Sequence, residues 1–120
     1  MTAPPKWAQD LLIDAALYVG SDVVPDLTWR RSRKHRMTSG YANLATKGIV
    51  LTVGSNRIDQ KRAVLHEAAH IFVNGNHTTA FWDMAWKLYR WAKLPLLKIR
   101  VREGNYMKGS LKAYARSRKG

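Results

Sequence analysis

The feature that most constrains the fold is a helical segment near the middle of the chain whose apolar residues surround its axis. A surface helix has one apolar stripe, whereas a helix that is apolar on all sides has to be buried. We expect Asp59 to cap this helix, and Asn74-Gly75 to end it after Val73. Its apolar residues are Ala63, Val64, Leu65, Ala68, Ala69, Ile71, Phe72 and Val73. The rest of the chain therefore has to fold around a central helix.

The residues before this helix predict one helix and a small sheet. Apolar residues recur at helical spacing from Lys6 to Val19, and Gly20 is expected to end that helix. Three strands are predicted next, the first two as a hairpin that turns at Lys34-His35-Arg36. They cover Leu27 to Arg33, Met37 to Ala45 and Ile49 to Val53.

The residues after the central helix predict a further helix and a final strand. Thr78 or Thr79 can cap a helix from Ala80 to Lys93, and the alternating residues from Leu97 to Arg102 favour a strand. The pattern weakens from about residue 104, where a basic tail begins. Without a linker or a repeat, the order of elements predicts one α+β domain spanning residues 1–120.

The central helix carries the strongest chemical pattern of the chain, His66-Glu67-Ala68-Ala69-His70. Residues four apart share one face of a helix, so the two imidazoles can converge on one zinc ion. Glu67 follows the first histidine and is placed to accept a proton from a water molecule at the metal. We predict His66 and His70 as metal ligands and Glu67 as the catalytic base.

A catalytic zinc ion needs a third protein ligand and one open position. The chain has no cysteine, so this ligand is a histidine or a carboxylate. His77 is the main candidate, because Gly75 allows the chain to turn back towards the helix. Glu103, the second of the two glutamates of the chain, is a weaker candidate on a distant segment.

The stretch from Gly40 to Trp86 resembles the SprT-like and YgjP/WLM-type metallopeptidases of the zincin group. The likeness rests on a glycine-containing strand followed by Ile49-Val50-Leu51, on the segment Val64 to His70, and on Asn76-His77-Thr78-Thr79-Ala80-Phe81-Trp82. The chain is short for that family and looks like a minimal catalytic core. The resemblance implies a zincin-like fold, His77 as the third zinc ligand, and Phe81 and Trp82 packed beneath the site.

The resemblance also implies hydrolysis of peptide bonds in a protein or peptide substrate. The strand from Ile49 to Val53 could bind such a substrate as an added strand, or it could simply belong to the core. Tyr41, Tyr106 and the arginines are open candidates for stabilising the oxyanion. Asp83 could orient a histidine, although a helix-dipole role suits it better.

The charge of the chain favours a polyanionic partner. Lysine and arginine number 21 against 8 acidic residues, which gives a net charge of +13. A basic cluster beside Trp29 predicts sequence-independent nucleic-acid binding through Arg30, Arg31, Arg33, Lys34 and Arg36. A second basic cluster runs from Lys98 to Lys119. Both clusters could instead be solvated surface.

Two other functions fit the same residues. One is a non-catalytic nucleic-acid-binding module with a structural zinc site, and the other is a peptidase specific for a regulatory protein. Some SprT-type relatives act on proteins crosslinked to DNA, which agrees with the basic charge. Asp10 and Asp14 interrupt any signal-peptide pattern, and no apolar run could span a membrane, so a cytoplasmic location is expected.

Overall fold

The computed structural model describes residues 3–32, 34–104 and 108–119, which form an α+β fold of five helices and three strands. In chain order the elements are α1 (Lys6–Val19), β1 (Asp26–Arg31), β2 (Ser39–Asn43), β3 (Gly48–Val53), α2 (Arg57–Val73), α3 (Thr79–Trp91), α4 (Leu96–Gly104) and α5 (Lys108–Lys119). The predicted α+β class is confirmed, as is α1, whose C-cap is Gly20 in the left-handed conformation.

The sheet has the strand order β1-β3-β2, so β3 is the central strand. β1 runs parallel to β3 with Trp29 opposite Leu51, and β2 runs antiparallel to β3 with Tyr41 opposite Val50. The predicted hairpin between the first two strands is therefore wrong, because β1 and β2 lie on opposite edges of β3.

Backbone contacts after β1 explain this arrangement. The backbone N–H groups of Ser55 and Asn56 donate to the carbonyl groups of His35 and Arg36, at 3.3 and 2.9 Å. The chain thus crosses the end of β3 before β2 begins. Gly54 permits this crossing, because a Cβ atom there would lie 2.3 Å from the carbonyl oxygen of Arg36.

Helix α2 lies between two apolar cores, as its sequence predicted. One core joins Val64 and Ala68 of α2 to the sheet and α1, and the other joins Leu65 and Ala69 to α3, α4 and α5. The helix ends at Asn74, which adopts the left-handed conformation. Neighbouring faces of one helix therefore pack against both cores and join them.

The expected cap of α2 is wrong. Asn56 is the N-cap residue, and its side-chain oxygen accepts a hydrogen bond from the backbone N–H of Asp59 at 2.9 Å. Asp59 is only 4% exposed and accepts instead from the backbone N–H of Thr38 at 2.6 Å. The helix therefore begins three residues earlier than the sequence predicted, and Asp59 lies in its first turn, held by Thr38.

The predicted last strand, Leu97 to Arg102, is wrong, because these residues belong to helix α4. The alternation of apolar and basic residues suggested a strand, but the buried positions are Ile99 and Glu103, which are four apart. Leu97 and Val101 remain 69% and 64% exposed. Packing of one helical face against the core overrides the local alternation.

The basic tail largely forms α5, which packs on α3. Ala113 and Ser110 of α5 are buried, and the indole N–H of Trp86 donates to the Ser110 hydroxyl at 3.1 Å. Within the part of the chain that the structure describes, no helix has the length and apolar character needed to cross a membrane.

Candidate metal centre

Three histidines converge beside α2. Helix geometry places His66 and His70 one turn apart, and the chain reverses after Asn74 to bring His77 back towards them. One nitrogen from each of the three imidazoles lies within 4.8 Å of the other two, and Nε2 of His66 is 3.3 Å from Nε2 of His77. In the described residues, this cluster is the group that could hold a metal ion.

Two of the histidines are held in a defined tautomer. His66 Nδ1 lies 2.7 Å from Glu103 Oε1, and His70 Nδ1 lies 2.8 Å from the carbonyl oxygen of Gly75. Both partners are acceptors, so each Nδ1 carries the proton and donates it. The lone pair of each Nε2 is then available to a metal.

Aromatic rings of α3 support the histidines from below. Phe81 stacks on His70 with the ring centroids 4.1 Å apart, and Trp82 stacks on His77 at 5.3 Å. Burial lowers the pKa of His70 to about 4 and also lowers the pKa of His77. Both imidazoles are therefore neutral at neutral pH, which is the form that binds metals.

Glu103 anchors a buried polar network behind His66. Its carboxylate accepts hydrogen bonds from the hydroxyl of Tyr89 and from His66, and it forms an ion pair with Arg62 at 3.3 Å. Arg62 also donates to Asp59 Oδ1 at 2.7 Å and to the carbonyl oxygen of Thr38 at 3.2 Å. The network joins α2, α3, α4 and the residues that precede β2.

The network keeps Glu103 ionised in spite of its burial. Burial alone would raise its pKa, but the hydrogen bond from His66 and the charge of Arg62 lower it to about 2. Tyr89 is fully buried, and burial together with the charge of Glu103 raises its pKa well above the ordinary value. A permanent carboxylate thus faces His66 Nδ1.

The sequence made Glu103 a weaker candidate for the third ligand. In the structure its carboxylate instead accepts a hydrogen bond from His66 Nδ1 and so orients that imidazole. This role was missed because the residues just before Glu103 were predicted to be a strand. The available signal was the helical spacing of Ile99 and Glu103, together with the scarcity of glutamate. Asp83 does not orient a histidine, because its carboxylate binds Arg116 at 2.6 Å.

Glu67 lies beside the histidines and faces a groove along β2. The side chain is 8% exposed, and burial raises its pKa. Glu67, His66, His77 and Gly40 line both of two neighbouring cavities of about 310 and 280 Å³. A buried carboxylate next to the histidine cluster is suited to accepting a proton from a molecule held in this groove.

Strand β2 forms the wall of the groove opposite α2. It pairs with β3 on one side only, so its other edge is free of strand partners in the described residues. Gly40 permits its close approach to β3, since a Cβ atom there would lie 2.4 Å from the carbonyl oxygen of Val50. Tyr41 lines one of the two cavities, whereas Tyr106 lies outside the described residues.

The residues predicted to bind nucleic acid are spread over β1 and the loop after it. Arg30 and Arg31 are exposed on β1, Lys34 and Arg36 are exposed in the loop, and Arg33 lies outside the described residues. Arg31 also lines a cavity with Trp7, Trp29 and Arg57. None of these residues lines the two cavities at the histidine cluster.

Comparisons of the chain with protein-family models, with curated proteins and with solved structures found no match. The function therefore has to be argued from the residues of the site.

Proposed function

We propose that this chain is a zinc-dependent peptidase of the zincin type, similar to the SprT-like and YgjP/WLM-type enzymes. The observation that supports this most is the cluster of His66, His70 and His77 with Glu67 beside it, at a groove bounded by an edge strand. The cluster supplies three protein ligands, whereas structural zinc sites usually have four.

The donor atoms suit zinc. Two nitrogens bound to one tetrahedral zinc ion at about 2.0–2.1 Å are about 3.3–3.4 Å apart. The Nε2 atoms of His66 and His77 are 3.3 Å apart. Imidazole ligands favour zinc over magnesium or calcium, which prefer oxygen.

The metal and the residues around the cluster would each have a separate role in peptide hydrolysis. When bound, zinc polarises a carbonyl group and acidifies water, which supplies the electrophilic part of peptide hydrolysis. Glu67 accepts the proton of the attacking water and then delivers it to the leaving amine nitrogen. Glu103 and the Gly75 carbonyl hold His66 and His70 in orientation throughout.

The substrate most consistent with the groove is an extended peptide. The free edge of β2 offers main-chain donors and acceptors alongside Glu67, and an extended peptide can add to such an edge as another strand. β3 cannot bind substrate in this way, because β1 and β2 occupy both of its edges. Of the two roles that the sequence left open for the Ile49–Val53 strand, pairing with substrate is therefore excluded and a core strand is confirmed.

Metal content tests the ligand set. We expect about one zinc per wild-type chain by elemental analysis and a much lower content in His77→Ala. His35→Ala is the matched control, because this exposed histidine lies outside the cluster. Equal zinc content in all three proteins would remove His77 from the site.

Turnover tests the role of Glu67. We expect Glu67→Gln to retain zinc and to lose at least about 100-fold in the hydrolysis of labelled, unfolded casein, because it cannot accept the proton. Undiminished turnover in this variant would remove Glu67 from the mechanism. Zinc binding in the wild type without hydrolysis of any protein would favour the alternative of a structural zinc site.

A further inference from the structure

A groove on another part of the molecule combines aromatic and cationic side chains. It has a volume of about 570 Å³ and lies between the end of α1, the outer face of α3, and α5. Tyr18 is 45% exposed and stacks on Trp91, with the centroids 5.1 Å apart and the planes at 11°. The amino group of Lys87 lies 5.3 Å from the centre of the Tyr18 ring.

Three arginines from three helices surround the ring of Tyr114, which lies beside this groove because Arg90 belongs to both. The guanidinium carbons of Arg90, Arg100 and Arg118 lie 5.9, 5.6 and 5.9 Å from the centre of the Tyr114 ring. Arg90 also lines the groove, and its Nε donates to the hydroxyl of Ser117 at 2.7 Å. α3, α4 and α5 therefore each contribute one positive charge to the same ring.

No acidic group balances these charges in the part of the chain that the structure describes. None of the three arginines forms an ion pair there. The acidic residue of the groove, Asp83, is taken by Arg116, whose Nε and Nη2 donate to its carboxylate at 3.0 and 2.6 Å. Like charges brought this close repel one another, and a bound polyanion would relieve the repulsion.

We propose that this groove and the three arginines around Tyr114 beside it, which together we call the α1–α3–α5 groove, bind single-stranded nucleic acid without regard to sequence. Phosphates contact Arg90, Arg100 and Arg118, and bases stack against the Tyr18–Trp91 pair. A cationic groove with an aromatic platform is the arrangement by which proteins bind single strands. The guanidinium group suits phosphate because its donors form a planar fork.

The position of the apolar residues favours nucleic acid over an anionic membrane as the partner. The exposed Leu97 and Val101 of α4 line a separate cavity with Met37 and Ile58, and they do not line the α1–α3–α5 groove. A membrane-binding face would instead combine its cations with exposed aliphatic residues.

The groove is separate from the metal centre and goes beyond the proposed peptidase function. Thr79, at the start of α3, lies next to the histidine cluster, and Arg90 is 11 residues further along the same helix. This separation corresponds to about 16 Å along the helix axis. Binding to the groove needs neither a metal nor hydrolysis, so its test is independent of the peptidase test.

The experiment is fluorescence anisotropy of a labelled 20-nucleotide oligo(dT), titrated with the full chain at several salt concentrations. Arg100→Gln/Arg118→Gln removes two exposed cations of the groove, and Tyr18→Ala removes the aromatic platform from a different helix.

The matched control is Arg57→Gln/Lys61→Gln, which lowers the net charge equally at the start of α2, with residues that belong neither to the groove nor to the basic cluster beside Trp29. Arg30→Gln/Arg31→Gln tests that basic cluster, on β1, as the rival binding surface. Thermal unfolding of each variant checks that it is folded.

We expect the double arginine variant to bind at least tenfold more weakly, and its slope of log K against log salt to fall by about 1.4, for two lost phosphate contacts. We expect Tyr18→Ala to weaken binding about fivefold or more. The α2 control variant should stay within twofold of the wild type, and the β1 variant should lose less affinity than the double arginine variant.

Three outcomes would overturn the proposal. If the β1 variant lost as much affinity for oligo(dT) as the double arginine variant, or more, binding would lie on the Arg30–Arg31 surface or depend on net charge alone. Unchanged affinity in both groove variants would exclude the groove. Binding to vesicles of anionic phospholipid but not to oligo(dT), lost in the double arginine variant, would make the groove a membrane surface.

Discussion

At the scale of single residues, the orientation of the histidines depends on partners far away in the sequence. Glu103 is 37 residues from His66, and it fixes the proton on Nδ1. Its own charge is held by Arg62 and by the hydroxyl of Tyr89. The three candidate ligands lie within 12 residues of one another, whereas the group that orients His66 lies 37 residues away.

We predict that Glu103→Gln lowers zinc affinity about 10- to 100-fold, because a neutral amide orients His66 less strongly and makes its imidazole a weaker ligand. Competition with a chelator of known affinity measures this change. Asp83→Asn is the matched control, since Asp83 pairs with Arg116 on the surface. Loss of affinity in both variants alike would point to a general effect of charge.

At the scale of elements, the start of α3 positions the third histidine. Thr78 is the N-cap residue, and its hydroxyl accepts a hydrogen bond from the backbone N–H of Phe81 at 3.2 Å. His77 comes immediately before this cap, and Phe81 and Trp82 follow in the first turn. One capping interaction therefore positions a candidate ligand and two of the rings that pack against the cluster.

We predict that Thr78→Ala lowers the free energy of unfolding by about 0.5–2 kcal/mol, because the helix loses its cap. Thr79→Ala is the control, and its effect should stay within about 0.5 kcal/mol, because Thr79 is exposed at the first helical position. Urea denaturation of the metal-free proteins measures both values. An equal loss in the two variants would contradict a specific role for the Thr78 hydroxyl.

At the scale of the whole molecule, a buried ionic network ties the sheet to the helices. Arg62 of α2 sits between Asp59 and Glu103, and each of these three side chains is at most 6% exposed. The carbonyl of Thr38 and the guanidinium of Arg102 join the same network. Removing the central cation would leave Glu103 without its guanidinium partner and Asp59 with only one of its two, Arg102.

We predict that Arg62→Met lowers the free energy of unfolding by about 3–5 kcal/mol, because the buried Glu103 loses its guanidinium partner and the buried Asp59 loses one of two. The control is Arg116→Met, which breaks the half-exposed pair with Asp83 and should cost at most about 1 kcal/mol. Chemical denaturation at neutral pH measures both. Similar losses in the two variants would show that the buried network contributes no more than a surface pair.

Much of the fold and of the candidate site could be predicted because the signals are local. The limits of α1, the burial of α2 and the presence of β3 follow from hydrophobic spacing and from breakers such as Gly20 and Asn74. His66, Glu67 and His70 share one helix, so helix geometry alone brings them together. His77 follows the turn that ends the same helix.

Only the tertiary structure decided the strand order, the helical state of Leu96–Gly104 and the place of Glu103. The alternation in α4 fits a strand locally, but the helix buries Ile99 and directs Glu103 towards His66 and Arg62. Strand pairing and buried ion pairs join residues tens of positions apart, and short-range periodicity contains no information on which distant partner each will find. The sequence determined the central helix and its ligands, and long-range packing determined what surrounds and orients them.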